Sequence, residues 1–459
     1  MKPTLFGYGL TTKAIASSLG GGCIFFDDKT KEPFIDDENN IINPSSMFDS
    51  NSSHLEVTTP SLPPQHPLIK KAKNLMSEYD YFLGRSEEVG SSSDEVESSS
   101  DIENTTTSSL LTPTYSLLTT NSYLPTPTSS LLTPTSSLLP TTSTIPFTIW
   151  ISGTNGKTTT TQMVTHLLAQ KGAVSGGNIG TPLAKLDPKA PIWVLETSSF
   201  TLHHTNYASP DIYILLPITP DHLNWHGDIE SYTQDKLKPL TTMREGELAL
   251  VPKGLDLPKS SAYIVEYDSD EFLASYFDIE IDKVDFKGAF LQDALLSLAI
   301  TRVLFDVVDY DLINNFTRDE HRQEEIVDSD ARLWVNDSKA TNIDATIQAI
   351  KTYQDNHIHL IIGGDDKGVE LDELFKLLQK SSVSIYTIGS NSQKLINLAS
   401  KYGIDAYKCD ILENAVNEIN KIHTKNSIAL LSPAAASLDQ YSSYKARGDK
   451  FKELIANLS

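Results

Sequence analysis

The sequence is poor in cysteine and in positive charge. Its 459 residues include two cysteines, and 37 Lys and Arg stand against 60 Asp and Glu, which gives a formal net charge of −23. The two cysteines, Cys23 and Cys409, lie far apart. They exclude a disulfide framework and indicate a reducing compartment. The acidic excess argues against a nucleic-acid partner, because contacts to phosphates need clustered Lys and Arg.

Long apolar runs are also missing. No stretch of about 18 apolar residues occurs, so we expect no membrane span. The N-terminus, MKPTLFGYGLTTKAIA, lacks the apolar core and cleavage site of a signal peptide. These absences predict a cytoplasmic protein. At about 100–200 residues per domain, the length predicts two to four domains.

One segment has a strongly biased composition. Ser86 to Glu103 carries seven acidic residues and no basic one, and Asn104 to Asn155 contains no charged residue at all. The second part is rich in Ser, Thr, Pro and Leu, and SSLLTPT begins at Ser108 and again at Ser129. Such a composition cannot build a core and its prolines prevent a long helix. We therefore predict a low-complexity flexible insertion over residues 85–145.

The remaining chain predicts an α/β protein. Strand-like and helical runs alternate in three blocks, 1–84, 146–318 and 319–459, with helices predicted over 68–76, 157–171, 289–305 and roughly 444–458. Alternating strands and helices favour mostly parallel sheets with covered faces. The three blocks therefore predict three α/β domains.

The strongest local signal is Gly153-Thr-Asn-Gly-Lys-Thr158, which follows the strand-like FTIWIS and precedes a Thr-rich helix. Small residues let backbone N–H groups close around phosphate oxygens, and a helix N-terminus favours an anion. Lys157 supplies a cation for the β- and γ-phosphates, and the Thr158 hydroxyl is a ligand for Mg²⁺. We predict a nucleotide site formed by Gly153, Thr154, Asn155, Gly156, Lys157, Thr158 and Thr159.

A second glycine turn, Gly7-Tyr-Gly-Leu-Thr-Thr12, is less specific. It begins like a dinucleotide-binding fingerprint, but Thr12 takes the place of the third glycine. A nucleotide contact and an ordinary turn between a strand and a helix are both compatible with it.

Polar residues follow several other strand-like runs. In open α/β sheets, ligands bind beyond the carboxyl ends of the strands. Each such residue alone is compatible with an ordinary surface turn, but their number favours a site. In the central block they are Glu196, Thr197, Ser198, Asp221 and His222, and in the last block Asp337, Lys339, Lys367 and Ser437.

Together these residues resemble the Mur ligase family, and within it the members that add D-glutamate. The resemblance covers nearly the whole chain apart from 85–145. The motifs that carry it are GTNGKTTT (153–160), NIGTPL (178–183), LETSSF (195–200), DHLNWHG (221–227), NDSKATN (336–342), GGDDKG (363–368) and LSPAAASLDQYSSYKARG (431–448).

The resemblance implies an N-terminal Rossmann-like domain that binds UDP (1–84), a central P-loop ATPase-like domain with a parallel sheet (146–318) and a C-terminal Rossmann-like domain that binds the amino acid (319–459). It implies an ATP- and Mg²⁺-dependent ligase that joins D-glutamate to UDP-N-acetylmuramoyl-L-alanine through an acyl phosphate, in peptidoglycan precursor synthesis. We expect small-molecule substrates and a monomer.

The resemblance also implies roles for single residues. It assigns catalysis to Lys157, Glu196, His222 and Lys236, and the metal to Thr158, Glu196, His222 and Lys236, the last as a carbamylated lysine. Further nucleotide contacts are Arg322, Asp337 and Lys339. The substrates are assigned to Leu10, Thr11, Asp27, Asn178, Ser198, His222, Thr341, Lys367, Ser437, Leu438 and Tyr444.

Two departures from the family pattern bear on the prediction. The GxHNxxN segment appears as GAFLQDALL (288–296), where Asp293 is the one polar side chain at a comparable place, and Thr201 replaces a usual Gln. Two alternatives therefore stay open. One is another ligase of the superfamily, with a different amino acid or a folate substrate. The other is a P-loop nucleotide-binding module without ligase activity.

Overall fold

The computed structural model of the protein describes residues 2–84, 145–366 and 368–458. Apart from Ile145, the predicted insertion over 85–145 lies outside these residues, and so does Lys367. The chain divides into two compact units. One is Met1–Ile281 with Leu295–Asp309, and the other is Asp282–Ala294 with Tyr310–Ser459. The first unit contains two six-stranded sheets and the second contains one.

The N-terminal sheet has the strand order β3-β4-β2-β1-β5-β6 and is parallel except for the edge pair β3–β4. Leu5, Phe25, Ile42 and Val57 are fully buried, because successive strands place apolar side chains on the face that α1 covers. The elements are β1 (Thr4–Phe6), α1 (Leu10–Ser18), β2 (Ile24–Asp27), β3 (Phe34–Ile35), β4 (Ile41–Pro44), β5 (Glu56–Thr58), α2 (Pro67–Lys71), β6 (Leu75–Met76) and α3 (Glu78–Leu83).

The helix predicted over 68–76 is wrong in its second half. Helix α2 ends at Lys71, and Leu75–Met76 is a strand paired with β5. The Asn74 N–H donates to a Glu56 carboxylate oxygen at 2.9 Å, which holds the chain beside β5. This long-range contact outweighs the local helical pattern.

The central sheet is parallel throughout and has the order β12-β11-β10-β7-β9-β8. The chain leaves β7 in one direction and later returns on its other side, so the strand order reverses at β7, where α/β folds bind ligands. The elements are β7 (Phe147–Ser152), α4 (Lys157–Leu168), β8 (Ala173–Gly177), β9 (Ile192–Glu196), α5 (Ser199–His203), β10 (Ile212–Leu215), α6 (Leu223–His226), α7 (Ile229–Leu237), α8 (Pro239–Thr242), β11 (Leu248–Pro252), β12 (Tyr263–Tyr267), α9 (Asp270–Phe277) and α10 (Ala289–Phe305).

The C-terminal sheet has the order β13-β14-β18-β15-β16-β17, with one antiparallel edge strand, β13. Strand β18 (SIALL) is buried at every position, as expected for the middle of a sheet with two covered faces. The elements are α11 (Tyr310–Asn314), β13 (Glu324–Val327), β14 (Leu333–Asn336), α12 (Ile343–Thr352), β15 (His357–Gly363), α13 (Asp372–Leu378), β16 (Val383–Ile388), α14 (Ser392–Tyr402), β17 (Asp405–Asp410), α15 (Leu412–Asn420), β18 (Ser427–Leu431) and α16 (Tyr444–Ala456).

These sheets confirm the predicted α/β fold with a parallel central sheet and two further sheets. The boundaries at 84/85, 145/146 and 318/319 stay predictions. Among the described residues, no helix combines the length and the apolar character needed to cross a membrane.

Candidate active site

The phosphate loop joins the central strand β7 to helix α4, as the sequence predicts. Gly153 has φ = 137° and Gly156 has φ = 82°, which are conformations that favour glycine. A Cβ at Gly153 would lie 2.5 Å from the Cβ of Leu216, so only glycine fits there. Residues 155–158 are half-buried, so a ligand can reach them.

Two side chains of the loop fix its shape. The Lys157 Nζ donates to the carbonyls of Gly153 (2.9 Å) and Thr154 (2.7 Å). The Thr154 hydroxyl lies 3.1 Å from the Tyr232 hydroxyl and also accepts the Thr219 N–H at 2.9 Å. The loop therefore holds a lysine ammonium at a helix N-terminus, which is an arrangement that binds phosphate.

Glu196 ends strand β9, next to the phosphate loop, and its side chain is buried. The Asn178 side-chain amide donates to Glu196 Oε1 at 2.6 Å. The other carboxylate oxygen, Oε2, is buried and has no hydrogen-bond partner among the described residues. Because a buried unpaired carboxylate oxygen is costly, it fits a divalent cation such as Mg²⁺.

Lys236 lies in the last turn of α7 and is fully buried. Its Nζ donates to the Gly153 carbonyl at 2.8 Å and lies 4.6 Å from the centre of the Tyr232 ring. Burial, with the nearby Lys157 charge, lowers the pKa of Lys236 well below its usual value. A lysine amine that loses its proton is a nucleophile. The predicted carbamylation needs such an amine, and only the carbamylated form would hold a cation.

His222 is the N-cap residue of the short helix α6 and has φ = 53°, a left-handed conformation that is strained for histidine. Its imidazole lies 4.8 Å from the Phe200 ring, and 46% of the side chain is exposed. Burial lowers the pKa of His222, Asp221 opposes this shift, and the charges of Lys157 and Lys236 add to it. His222 therefore lies close enough to Lys157 and Lys236 for their charges to act on its imidazole.

Ser198 caps helix α5. Its hydroxyl accepts the Thr201 N–H at 3.1 Å and lies 2.9 Å from the Thr201 hydroxyl. Thr201, the departure from the family pattern, thus takes part in the cap.

The N-terminal residues lie where β1 and β2 end. The Asp27 carboxylate accepts the N–H groups of Tyr8 and Lys29, each at 2.9 Å, while Leu10 and Thr11 begin helix α1. Thr12, which weakened the fingerprint, is buried, and its hydroxyl donates to the Gly7 carbonyl at 2.6 Å. A threonine hydroxyl thus closes this turn.

In the second unit, Asp337 follows strand β14 and is buried. It accepts hydrogen bonds from the Ser432 hydroxyl at 2.8 Å and the Gln323 N–H at 3.2 Å. Burial raises the pKa of Asp337 to about 7, although these bonds and the nearby Arg322 oppose the shift.

Other predicted residues of this unit meet in part. The Lys339 Nζ lies 4.1 Å from the centre of the Tyr444 ring. Ser437 is buried, whereas Thr341 and Leu438 are exposed. The predicted roles of all these residues stay predictions, and Lys367 lies outside the described residues.

Comparison with known proteins places this geometry in a family. Residues 151–291 match the Mur ligase middle domain. The chain is 44% identical to the UDP-N-acetylmuramoylalanine--D-glutamate ligase of Campylobacter jejuni (strain 81-176), over 99% of both chains. It is 41% identical to the Helicobacter pylori 26695 protein of the same name, also over 99% of both.

The chain belongs to the Mur ligase family. A solved MurF ligase from Thermotoga maritima, in complex with ADP, shares the fold with a TM-score of 0.50, at 15% identity. The match spans 68% of this chain and 79% of the MurF chain. The identity to the Campylobacter jejuni and Helicobacter pylori ligases confirms the resemblance predicted from the motifs.

Sequence reasoning missed a partly buried cluster of polar side chains in this Mur ligase. Asp235 holds two imidazoles, His203 and His226, each through Nδ1 at 2.8 Å, and His226 Nε2 lies 2.9 Å from the Ser199 hydroxyl. His226 stands inside a quoted motif, which was the one available signal. A cavity of about 370 Å³ borders this cluster and is lined by Pro64, Gln65, His203, Trp225, His226, Glu230, Ser231, Gln234 and Asp235.

Arg447 was also missed, although it lies in the last motif. It is 1% exposed, and its guanidinium donates to the hydroxyl and carbonyl of Ser338 (3.0 and 2.9 Å) and to the Ala435 carbonyl (3.3 Å). Ser338 lies between Asp337 and Lys339, so Arg447 anchors that turn.

Proposed function

We propose that this Mur ligase joins D-glutamate to UDP-N-acetylmuramoyl-L-alanine with hydrolysis of ATP to ADP and phosphate, in peptidoglycan precursor synthesis. The observation that carries the proposal is 44% identity, over 99% of the chain, to a ligase that bears this name. The central site supports it, because a phosphate loop, a lysine and a buried carboxylate with one oxygen that has no partner among the described residues suit phosphoryl transfer.

A carboxylate is a poor electrophile, so it must first be activated. We infer that the carboxylate of the nucleotide-sugar substrate attacks the γ-phosphoryl group of ATP, which forms an acyl phosphate, breaks the bond between the γ-phosphorus and the bridging oxygen, and releases ADP. The transferring group carries spread negative charge, which Lys157 and the loop N–H groups stabilise. The amine of D-glutamate then attacks the acyl carbon, and phosphate leaves the tetrahedral intermediate.

The metal would be held by Glu196, Thr158 and His222, with Lys236 joining them once carbamylated. Bound Mg²⁺ neutralises phosphate charge during the transfer. Asn178 orients Glu196 by donating to Oε1, which leaves Oε2 for the ion. In this proposal Leu10, Thr11 and Asp27 bind the uridine nucleotide. Lys339 contacts ATP, and Ser437 and Tyr444 contact D-glutamate.

The proposal is tested by ADP release from purified protein with ATP, Mg²⁺ and UDP-N-acetylmuramoyl-L-alanine. The amino acids offered are D-glutamate, L-glutamate, L-alanine and a diamino acid, and a folate acceptor is run in parallel. We expect ADP release when D-glutamate is the amino acid offered, and none with the other amino acids or with the folate acceptor. Release with another pair would identify a different ligase of the superfamily, and nucleotide binding without release would identify a module without ligase activity.

The variant Lys157→Ala tests the role of the phosphate loop in this reaction. We expect it to abolish acyl-phosphate formation, because the Nζ that binds the phosphates is lost, while the circular dichroism spectrum stays that of the wild type. Normal turnover in a folded Lys157→Ala protein would contradict the proposal.

A further inference from the structure

Two buried tyrosines bond to the main chain of two residues assigned to the metal. Tyr79 on α3 is 1% exposed and Tyr213 on β10 is fully buried. The Tyr79 hydroxyl donates to the Glu196 carbonyl at 3.1 Å, and the Tyr213 hydroxyl donates to the Lys236 carbonyl at 2.6 Å. Neither tyrosine has a role in the mechanism above.

The surroundings of Tyr79 fix its hydroxyl at the end of β9. The Glu196 carbonyl also accepts the Asn178 N–H at 2.8 Å, so this carbonyl has two donors. A Cβ at Gly177 would lie 2.5 Å from the Tyr79 hydroxyl, so the neighbouring strand leaves room for the hydroxyl only because it carries glycine there. The Tyr79 ring packs edge-on against Trp150, with 4.8 Å between centroids.

Tyr213 compensates for a helix end. Helix α7 stops at Leu237, and the carbonyls of a last helical turn lack intrahelical donors. The Tyr213 hydroxyl supplies a donor to the carbonyl of Lys236 in that turn.

We propose that Tyr79 and Tyr213 are positioning residues of the metal site, each fixing the main chain of one metal ligand through its carbonyl. The inference rests on the proposed function, which makes Glu196 and Lys236 the ligands. Neither hydroxyl touches the ion or the substrates. Losing one lets the ligand's main chain move, and outer contacts of this kind typically change metal affinity by about 10- to 100-fold.

The test compares Tyr79→Phe and Tyr213→Phe with Tyr267→Phe. Tyr267 on β12 is a matched control, because it is 2% exposed and its hydroxyl donates to a main-chain carbonyl, that of Leu215, at 2.8 Å. Leu215 has no assigned role in the site. Binding of Mn²⁺ to the full chain with ADP is measured by electron paramagnetic resonance, which needs no turnover.

We expect the Mn²⁺ Kd to rise by roughly tenfold in Tyr79→Phe and in Tyr213→Phe, and to stay within twofold in Tyr267→Phe. In ADP-release assays, the Mg²⁺ concentration for half activation should rise in the first two variants, while kcat at saturating Mg²⁺ stays near that of the wild type. A structural role alone would change the melting temperature of all three variants and the metal affinity of none.

Unchanged Mn²⁺ affinity in both variants would overturn the inference. Loss of folding in both would overturn it too, since the hydroxyls would then serve the fold; if one variant fails to fold, the other decides. Failure of the proposed function is distinct, because the wild-type protein itself would then show no ADP release that depends on D-glutamate.

Discussion

The central and C-terminal sheets each bury one cation beside a strand-end turn, but the two cations are held differently. The Lys236 Nζ donates to the Gly153 carbonyl, and burial lowers its pKa well below the usual value. The Arg447 guanidinium donates to Ser338 and Ala435, and burial lowers its pKa only to about 10. Arg447 therefore remains charged at neutral pH, whereas Lys236 is pushed toward its neutral form.

This difference separates a reactive group from a structural one. A lysine that releases its proton readily can undergo chemistry, and a guanidinium whose donors are used by fixed carbonyls can brace a turn. The same substitution should therefore lower mainly the activity at position 236 and mainly the stability at position 447. Methionine at each position tests this comparison directly.

The largest effect is expected for Lys236→Met. Methionine fills a similar volume but offers neither an amine nor, after carbamylation, a metal ligand, so D-glutamate-dependent ADP release should fall by about 10³-fold. The free energy of unfolding should change by less than about 1 kcal/mol. The Gly153 carbonyl keeps a donor, because Lys157 also bonds to it. Retention of more than a tenth of the activity would remove Lys236 from the reaction.

Arg447→Met should act mainly on stability. It leaves the Ser338 and Ala435 carbonyls buried without these donors, and each unsatisfied group costs about 1–3 kcal/mol. We expect the unfolding free energy of the C-terminal unit, followed in urea, to fall by about 3–5 kcal/mol. Arg447→Lys should lie between the two proteins. A stable but inactive Arg447→Met protein would show that Arg447 serves the reaction and not the fold, and would contradict the comparison.

Sequence patterns predicted the elements whose signals are local. Helix α10 has the predicted bounds, Ala289–Phe305, and strand β7 is Phe147–Ser152 as predicted. Strand β8 was not predicted, because two of its five residues, Gly176 and Gly177, are poor strand formers. Strand β6 was hidden by the helical pattern of 68–76.

For the site, the motifs predicted which residues stand at strand ends, since spacing along the chain fixes that position. They could not predict the groups that bond from a distance. Tyr79 bonds to Glu196 across 117 residues, and Arg447 bonds to Ser338 across 109. No periodicity or local motif encodes such a pair, because it exists only once the sheets and helices have packed.

The smallest expected effect concerns the two buried carboxylates, Glu196 and Asp337. Oε2 of Glu196 has no partner among the described residues, whereas both oxygens of Asp337 accept a hydrogen bond. Asp337 is therefore held by hydrogen bonds from the protein. Because its pKa is about 7, its protonation makes the free energy of unfolding depend on pH near neutrality.

Asp337→Asn tests this through the pH dependence of unfolding. The folded-state pKa, about 7, lies above the ordinary value of 3.8, so the folded protein binds the proton more tightly and loses stability as pH rises between these values. From pH 5 to pH 8, the unfolding free energy of the wild type should fall by roughly 2–3 kcal/mol relative to Asp337→Asn, which has no proton to lose. Urea titrations at both pH values measure the difference. Parallel pH profiles would mean that Arg322 and the two hydrogen bonds keep Asp337 ionised.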